Sequence, residues 1–323
     1  MKTEEDKNMY RIGIDLGGTN IVAGVVDDQY HIISTAKCKT RLPRPTQEIL
    51  QDMAKMAREA AGKAGLSWKD IAHIGVGSPG TCNPETGIVE YANNLQFENV
   101  PVRDILEKEL DKKVFLDNDA NAAAYAESLA GGAKGSKISV CITLGTGVGG
   151  GIIIDGKIFS GFNFAGAELG HTVIIMDGES CTCGRNGCWE AYASATALIH
   201  QTRRAMKAHP ESKMWELAHD LDHVDGRTAF DGMRAGDSAA KAVVDQYIRY
   251  IACGLSNIIN IFQPEVLCIG GGICKEGDTL LKPLEKEVFK DRYSKFCTRQ
   301  TRLCVATLGN DAGIIGAAFL GDM

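Results

Sequence analysis

Two stretches of the chain carry the same strand–glycine–strand pattern, and this repeat constrains the fold more than any other feature. IGIDLGGTNIVAGVVD (12–27) aligns without a gap with VCITLGTGVGGGIIID (140–155), and Gly17 falls on Gly145. In each stretch an apolar run of strand length ends in a glycine turn, and a second apolar run follows. Two such units predict an internally duplicated fold with a cleft between its halves.

Apolar periodicity predicts the elements around this repeat. Short apolar runs bounded by turn residues predict buried strands at 71–76, 114–116 and 266–269. Helical spacing predicts an alanine-rich helix at 120–130 and one long helix at 238–262. A length of 323 residues suits two domains or one bilobed domain. No linker-like stretch separates the lobes, so we expect the domain boundary to be a crossover.

Composition narrows the class of protein. A hydrophobic content of 44% and a charged content of 24% are typical of a globular domain, and the net charge of −6 argues against a broad nucleic-acid surface. The sequence contains no apolar run of about 18 residues, so it predicts no membrane span. The polar segment 1–10 lacks a signal-peptide core, so we expect a short disordered tail and a cytoplasmic location. In that compartment, strand cysteines such as Cys38, Cys141, Cys268 and Cys304 are expected to be free thiols.

One imidazole and three thiols lie close together in HTVIIMDGESCTCGRNGCWE (171–190). His171, Cys181, Cys183 and Cys188 form a Cys₃His set, which suits tetrahedral Zn²⁺. Four protein ligands leave no position for a reactive water, so we expect a structural zinc ion that shapes the loop. The alternative is scattered core cysteines with a chance histidine, although a polar, glycine-rich loop is a poor place for buried thiols.

The two glycine turns of the repeat are candidate phosphate-binding loops. Glycines let backbone N–H groups approach an anion closely, and a threonine hydroxyl adds a donor. Asp15, at a strand end, is expected to hold Mg²⁺ through water. A third cluster, Gly270–Gly272, could let an adenine lie against the backbone. The candidate nucleotide-binding residues are Asp15, Gly17, Gly18, Thr19, Thr143, Gly145, Thr146, Gly147 and Gly271.

These loops also suit purely structural roles, because each could be a plain hairpin or strand-to-helix turn. Neither repeat turn has the spacing GxxxxGK[ST], so neither is a Walker A loop. Gly17 and Gly18 lead into a strand and not a helix, which disfavours a dinucleotide-binding dehydrogenase.

Asn118 and Asp119 stand where a strand gives way to a helix. A carboxylate at this position can project into a cleft and accept the proton of a hydroxyl that attacks a phosphoryl group. The alternative role of Asp119 is a helix N-cap, which Asp and Asn both favour. Asp117 and Asn118 could cap the helix equally well.

Polar side chains beside the cysteine-rich loop are candidate sugar ligands. Glu168 and His171 are spaced to share one face of a helical turn, and Glu190 follows Cys188 by two positions. Carboxylates and an imidazole oriented by a metal suit a polyol, whose hydroxyls both donate and accept hydrogen bonds. Alternatively, Glu168 and Glu190 are supporting or surface charges.

The chain resembles the ROK family of sugar kinases. The matching motifs span nearly the whole chain, and the CxCGxxGCxE loop with its upstream histidine is highly specific. They are IGIDLGGTNI (12–21), GVGSPG (75–80), LDNDANAAA (116–124), TLGTGVGGGI (143–152), GAELGH (166–171), CTCGRNGCWE (181–190), IGGG (269–272) and LGNDAGIIGAA (308–318).

This resemblance implies an α/β fold of the duplicated actin-like ATPase (ribonuclease H-like) type, with two lobes and an interlobe cleft. We place the small lobe at 1–117 plus 308–323 and the large lobe at 118–307. It also implies ATP-dependent phosphorylation of the 6-hydroxyl of glucose, with Mg²⁺, structural Zn²⁺ and a homodimer or higher homo-oligomer. Asp119 would be the general base, and the sugar contacts would be Gly80, Asn118, Asp119, Glu168, His171 and Glu190.

Two other functions fit parts of this pattern. An N-acetylhexosamine or fructose kinase would share the zinc loop and the base. A sugar-responsive transcriptional regulator would carry an extra N-terminal helix-turn-helix domain. Only about nine residues precede the first predicted strand here, and the charge is acidic.

Overall fold

The computed structural model describes residues 9–323, so residues 1–8 of the predicted tail lie outside the described part. The strands are β1 Tyr10–Leu16, β2 Asn20–Val26, β3 Ile32–Lys39, β4 Ile71–Ser78, β5 Thr81–Asn83, β6 Ile88–Ala92, β7 Phe97–Val100, β8 Val114–Asn118, β9 Ile138–Leu144, β10 Val148–Ile154, β11 Lys157–Ile158, β12 Val266–Gly270 and β13 Arg302–Val305. The helices are α1 Thr46–Lys63, α2 Val102–Leu110, α3 Asp119–Leu129, α4 Glu190–Ala193, α5 Ala195–Ala208, α6 Met214–Ala218, α7 Thr228–Arg234, α8 Ser238–Phe262, α9 Asp278–Asp291 and α10 Ala312–Ala318.

The internal repeat corresponds to two sheets with the same strand order. One five-stranded sheet has the order β3-β2-β1-β4-β8, and the other has β11-β10-β9-β12-β13. In each sheet the repeat supplies a hairpin, β1–β2 in the first and β9–β10 in the second, with its glycine turn between the strands. The duplication inferred from the aligned residues is therefore present in the topology. The predicted strands and helices around the repeat are confirmed, with ends that shift by one or two residues.

The described residues divide into two compact units. The first runs to Cys141 and includes Gly151–Ala167 and Ala306–Met323, and the second comprises Ile142–Gly150 and Glu168–Val305. The sequence-based boundary assigned all of 118–307 to the large lobe. Here α3 belongs with the first unit because it packs along α10, a helix from the far end of the chain.

The core of the first unit is built on one face of β1, where Ile12, Ile14 and Leu16 are fully buried. On the opposite face, glycines let α10 approach the sheet. A methyl group at Gly13 would lie 1.8 Å from the carbonyl oxygen of Ile314, which no real side chain permits. This close packing places the start of α10 beside the carboxyl end of β1.

Buried Glu127 ties α3 to the segment that leads into α10. Its carboxylate accepts backbone N–H hydrogen bonds from Gly132 (2.7 Å), Thr307 (3.2 Å) and Leu308 (2.9 Å). A buried carboxylate is tolerated only when such donors satisfy it. This contact helps explain why α3 groups with residues nearly two hundred positions later.

In the second unit, Trp189 anchors the end of the cysteine-rich loop against α8. The indole is fully buried, and its Nε1 donates a hydrogen bond of 2.8 Å to the carbonyl of Tyr250. Gly254 makes room for the ring, because a methyl group there would lie 2.0 Å from Cε2 of Trp189. Trp189, which lies between Cys188 and Glu190, thus holds the cysteine-rich loop next to α8.

All eleven cysteines lie within the described residues, and none of them is joined in a disulfide there. Across residues 9–323, no helix combines the length and the apolarity needed to cross a membrane.

Candidate active site

The carboxyl ends of three parallel strands meet at one edge of the first sheet. Asp15 on β1 is in register with Gly77 on β4, and Gly77 is in register with Asp117 on β8. Ligand sites of open α/β sheets commonly lie at such carboxyl edges. Sequence motifs that are a hundred residues apart are therefore neighbours within the first unit.

Asn118 is the N-cap of α3, and Asp119 is its first residue. The Oδ1 atom of Asn118 accepts the N–H groups of Ala120 (2.9 Å) and Asn121 (3.2 Å). Asp119 adds one hydrogen bond of 2.8 Å, from the N–H of Ala120 to its Oδ1. Since Asn118 caps the helix, Asp119 is not required as the cap and can serve another purpose.

Gly80 holds Asn118 from the opposite side. Asn118 Nδ2 donates a hydrogen bond of 3.0 Å to the Gly80 carbonyl. Gly80 has φ +92°, and a methyl group there would lie 2.1 Å from the carbonyl oxygen of Tyr91, so only glycine fits. Three of the predicted sugar contacts therefore lie together in the first unit: Asn118 is hydrogen-bonded to Gly80 and precedes Asp119 in the chain.

The carboxylates at this edge resist ionisation. Burial, followed by the charge of Asp119, raises the pKa of Asp15 to about 6. Burial also raises the pKa of Asp119 and of Asp117, although hydrogen bonds from backbone and amide donors partly oppose the shift. Perturbed acids gathered in one place are characteristic of catalytic sites, because the same environment that disfavours their charge makes them stronger bases.

The first glycine turn is a tight connection between β1 and β2. The N–H of Gly17 donates a hydrogen bond of 2.9 Å to the carbonyl of Asn20, and the Thr40 hydroxyl donates one of 2.6 Å to the carbonyl of Gly17. Gly18 lies half-exposed and Thr19 exposed at its tip, where their polar groups can reach a ligand. This arrangement satisfies the local backbone while leaving the tip open.

The second glycine turn joins β9 to β10 and is braced by Glu190. The N–H of Gly145 donates a hydrogen bond of 3.0 Å to the carbonyl of Gly147, and Glu190 Oε2 accepts one of 2.9 Å from the N–H of Val148. A methyl group at Gly147 would lie 2.3 Å from that same Oε2 atom. Thr146 is exposed at the tip of the turn. Glu190 therefore links the turn to the cysteine-rich loop.

Two further predicted nucleotide-binding residues flank this turn. Thr143 is exposed on β9, just before the turn. Gly271 follows β12 with φ +102°, and a methyl group there would lie 2.2 Å from the carbonyl oxygen of Leu144 at the end of β9. The third glycine cluster thus packs against the second glycine turn, within the second unit.

The four predicted zinc ligands form one cluster. The Nδ1 atom of His171 lies 3.5 Å from Cys181 Sγ, Cys183 Sγ lies 3.6 Å from Cys188 Sγ, and all four ligand atoms lie within 4.8 Å of one another. Zn–S bonds of about 2.3 Å in a tetrahedron require sulfur atoms roughly 3.8 Å apart, so the residues fit a zinc ion. The alternative of scattered core cysteines does not describe this arrangement.

The predicted sugar ligands of the second unit border this cluster. Cys181 Sγ is 3.7 Å from Oε1 of Glu190, and the Thr182 hydroxyl is 3.5 Å from the same atom. Glu168 precedes a 3₁₀ turn, and its carbonyl accepts 3.1 Å from the N–H of His171. The predicted helical face is therefore a single tight turn, which still places Glu168 next to His171.

A cavity of about 470 Å³ opens beside Glu190 within the second unit. Thr146, Cys181 and Glu190 line it together with Ser194 and Thr196 of the segment that begins α5. Cavities of this size accommodate small ligands. The second glycine turn and the cysteine-rich loop thus line the same cavity.

Several residues that shape these sites were not singled out by the sequence analysis. A methyl group at Gly313 would lie 2.9 Å from the carboxylate of Asp15, so this glycine makes room for Asp15. The Thr196 hydroxyl donates a hydrogen bond of 2.8 Å to the carbonyl of Thr146, and the N–H of Ala195 donates one of 2.8 Å to the carbonyl of Gly145. Gly313 lies in the motif LGNDAGIIGAA (308–318), but only its packing reveals its role.

The comparison with known families draws these features together. Residues 11–322 match the family model described as "ROK family". The chain belongs to the ROK family. The glucokinase of Thermotoga maritima is 36% identical over 308 residues, which are 95% of each protein. The glucokinase of Streptomyces coelicolor is 37% identical over 313 residues, 96% of each protein.

A solved ROK structure shares the fold. The ROK family glucokinase from Streptomyces griseus, crystallised with glucose and AMPPNP, is 34% identical with a TM-score of 0.80, over 96% of this chain and 98% of that one. This similarity confirms the predicted fold class, the duplicated α/β fold of actin-like ATPases. It also confirms the resemblance to ROK sugar kinases that the motifs indicated.

Proposed function

We propose that the protein is an ATP-dependent glucokinase that transfers a phosphoryl group to the 6-hydroxyl of glucose. The observation that carries this proposal is Asp119, a largely buried carboxylate at the carboxyl edge of the first sheet whose helix is already capped by Asn118. Family membership over residues 11–322 and the glucokinases among its relatives support the substrate and the reaction.

In the proposed reaction, the sugar O6 attacks the γ-phosphorus of ATP. The new bond joins O6 to phosphorus, the bond from the β,γ-bridging oxygen breaks, and ADP leaves. The proton of the 6-hydroxyl passes to the carboxylate of Asp119. Because burial raises the pKa of Asp119, this carboxylate is a stronger base than an exposed aspartate.

The polar groups of the cysteine-rich region would orient the sugar. We propose that Glu168, His171 and Glu190 accept and donate hydrogen bonds to sugar hydroxyls. His171 directs Nδ1 toward Cys181, which leaves Nε2 for a hydroxyl. Phosphoryl transfer depends mainly on positioning and on charge stabilisation, so a rigid set of sugar ligands matters for turnover as well as for binding.

His171, Cys181, Cys183 and Cys188 would hold a structural zinc ion. The ion would supply charge and a fixed tetrahedral geometry that orders the loop. Cys181 also lies 3.7 Å from Glu190, and Glu190 braces the second glycine turn. Order in the loop is therefore tied to the position of a proposed sugar ligand.

The glycine turns would bind the phosphates of Mg-ATP. We assign Gly17, Gly18 and Thr19 to one turn and Gly145, Thr146 and Gly147 to the other, with Thr143 and Gly271 beside the second. Asp15 would hold Mg²⁺ through water, and the bound cation would stabilise its charged form. A homodimer or higher oligomer and a cytoplasmic location complete the proposal.

The test of the function is ADP release with Mg-ATP and a panel of sugars. We expect a kcat/KM for glucose at least tenfold above those for mannose, fructose, N-acetylglucosamine and N-acetylmannosamine. Preference for an N-acetylated sugar would move the specificity and keep the fold. No ADP release with any sugar would refute the kinase assignment.

Asp119→Asn tests the base directly. A general base contributes roughly 10²–10⁴-fold, so we expect kcat to fall by at least that lower factor while glucose affinity changes less. Glucose affinity can be measured by titration calorimetry. Asp104→Asn, at an exposed helical position, is the matched control. Retained activity, or equal losses of affinity and turnover, would contradict the assignment.

A further inference from the structure

Two thiols face each other across neighbouring strands of the second unit. The sulfur atoms of Cys268 on β12 and Cys304 on β13 lie 3.1 Å apart, and the two residues are direct partners in the parallel register of these strands. Residues paired in this way carry their side chains on the same face of the sheet. Neither cysteine belongs to a motif assigned to the kinase site, so the proposed kinase reaction gives this contact no role.

A shared metal ion does not account for the pair. The thiols of the cysteine-rich loop also lie close together, with 3.6 Å between Cys183 Sγ and Cys188 Sγ, but there His171 and Cys181 complete a set of four ligands. Throughout residues 9–323, that set is the only group of three or more His, Cys, Asp or Glu side chains placed to share an ion. Two thiols alone do not fill the four positions that Zn²⁺ prefers.

The geometry of the pair suits a disulfide bond. Adjacent strands of a sheet lie about 4.8 Å apart, which is within the range of Cα separations, about 4.4–6.8 Å, that a disulfide spans. The sulfur atoms already approach to 3.1 Å, so a bond of about 2.05 Å requires them to move together by about 1 Å. Cys304 lies on the last strand of its sheet, which has β12 as its only neighbour among the described strands. This strand can therefore shift without disturbing a second ladder of hydrogen bonds.

The two thiols differ in exposure. Cys268 is fully buried, whereas Cys304 is partly exposed. A small oxidant therefore meets Cys304 first, and Cys268 lies in place to react with the oxidised sulfur. Redox-active pairs commonly combine an accessible thiol with a resolving thiol beside it.

We propose that Cys268 and Cys304 form a reversible disulfide when the protein meets hydrogen peroxide. The thiolate sulfur of Cys304 attacks one peroxide oxygen and the O–O bond breaks, which leaves a sulfenic acid and a hydroxide that takes up the thiol proton as water. The sulfur of Cys268 then attacks the sulfur of Cys304, the S–O bond breaks, and a second water leaves with the proton of Cys268. Two thiols lose two electrons, and one peroxide is reduced to two waters. A dithiol reductant reverses the change.

The bond would fasten the end of the second unit. The two cysteines are 36 positions apart, and α9 lies in the segment between them. A link that closes this segment restricts the unfolded chain and so favours the folded one. Cys304 also lies two positions before Ala306, where the chain passes from the second unit into the first. In the reducing compartment proposed for this protein, such a bond is transient and forms under oxidative conditions.

Peptide mapping under non-reducing conditions tests the site. Protein supplied with Zn²⁺ is treated with hydrogen peroxide, blocked with an alkylating reagent, digested and analysed by mass spectrometry. We expect a peptide cross-linked between Cys268 and Cys304 that disappears after treatment with dithiothreitol. Cys38→Ser, at another partly buried strand cysteine, should keep the cross-link. Absence of the cross-linked peptide, or a cross-link between two chains, would overturn the proposal.

Single substitutions test the order of the two steps. Cys268→Ser should leave the sulfenic acid on Cys304, where dimedone traps it. Cys304→Ser should leave Cys268 unlabelled, because that thiol is buried. Equal labelling of the two variants would overturn the assigned order of attack. A lack of any label on Cys304 in Cys268→Ser would overturn the proposal.

A glutathione redox buffer measures how well the folded chain holds the bond. The disulfide should persist in a buffer at least about tenfold more reducing for the native protein than for the chain unfolded in urea, because the fold holds the sulfur atoms together. Oxidation should accordingly raise the urea midpoint of the wild type and not that of Cys304→Ser. A lower midpoint after oxidation, or a disulfide equally stable in the folded and unfolded chains, would overturn the proposal. These measurements need neither sugar nor ATP, so failure of the glucokinase assay leaves them unaffected.

Discussion

Asp15 combines a proposed role in Mg-ATP binding with an unfavourable charge in the protein alone. Burial and the charge of Asp119 raise the pKa of Asp15 from 3.8 to about 6. At about 1.36 kcal/mol for each pKa unit, the ionised carboxylate reduces stability by up to about 3 kcal/mol at neutral pH. Asp15→Asn keeps the shape and removes the charge. We therefore expect this variant to be more stable at pH 8 by an amount approaching that value.

The pH dependence gives this prediction its sign. Between pH 4 and 6 the folded protein holds a proton on Asp15 that the unfolded chain releases, so the contribution of this group to stability falls as pH rises. The stability advantage of Asp15→Asn should be near zero at pH 3, grow mainly between about pH 4 and pH 6 and change little above about pH 7. Urea unfolding with EDTA, at several pH values, measures it. Asp222→Asn, an exposed loop position, should change stability by less than about 0.5 kcal/mol throughout. An advantage that is absent at pH 8, or that is equal at all pH values, would refute the reasoning.

Two further substitutions test the cysteine-rich loop and the second glycine turn. Cys183→Ser should lower the amount of bound zinc, measured by metal analysis, and raise the KM for glucose more than the KM for ATP. The control Cys297→Ser, at an exposed cysteine, should change neither the zinc content nor the KM values. Loss of zinc with unchanged glucose kinetics would contradict the coupling between the cysteine-rich loop and the sugar. Gly147→Ala should displace the Glu190 carboxylate, which would be 2.3 Å from the new methyl group, and raise the glucose KM about tenfold, the equivalent of about 1.4 kcal/mol. The control Gly62→Ala, in open space on α1, should leave glucose kinetics unchanged and stabilise the helix by about 1 kcal/mol. If Gly147→Ala leaves the glucose KM unaltered, the contact of Glu190 with the second glycine turn is dispensable.

Much of the architecture could be predicted because its causes are local. The strand–turn–strand repeat at 12–27 and 140–155 fixes two hairpins through apolar runs and glycine turns alone. The long helix of α8 has the predicted bounds, since its periodicity covers many turns. The four predicted zinc ligands converge because the glycine-rich loop between them is short.

The site was harder to predict where its properties depend on packing. Asn118 and Asp119 were both plausible caps by residue type, and only the bond geometry assigned the cap to Asn118. Glu190 was expected to face a sugar, but it also braces the second glycine turn through Val148. Such bonds join residues that no local pattern relates.

The sequence by itself determined the repeat, the glycine turns, the order of the main elements and the Cys₃His set of the candidate metal site. These follow from turn chemistry and from periodicity over a few residues. The tertiary structure alone decided that α3 groups with α10 and that Asp15 lies beside Gly313. Burial, electrostatic environment and close backbone approach depend on segments far apart in the chain, so they exist only once those segments pack together.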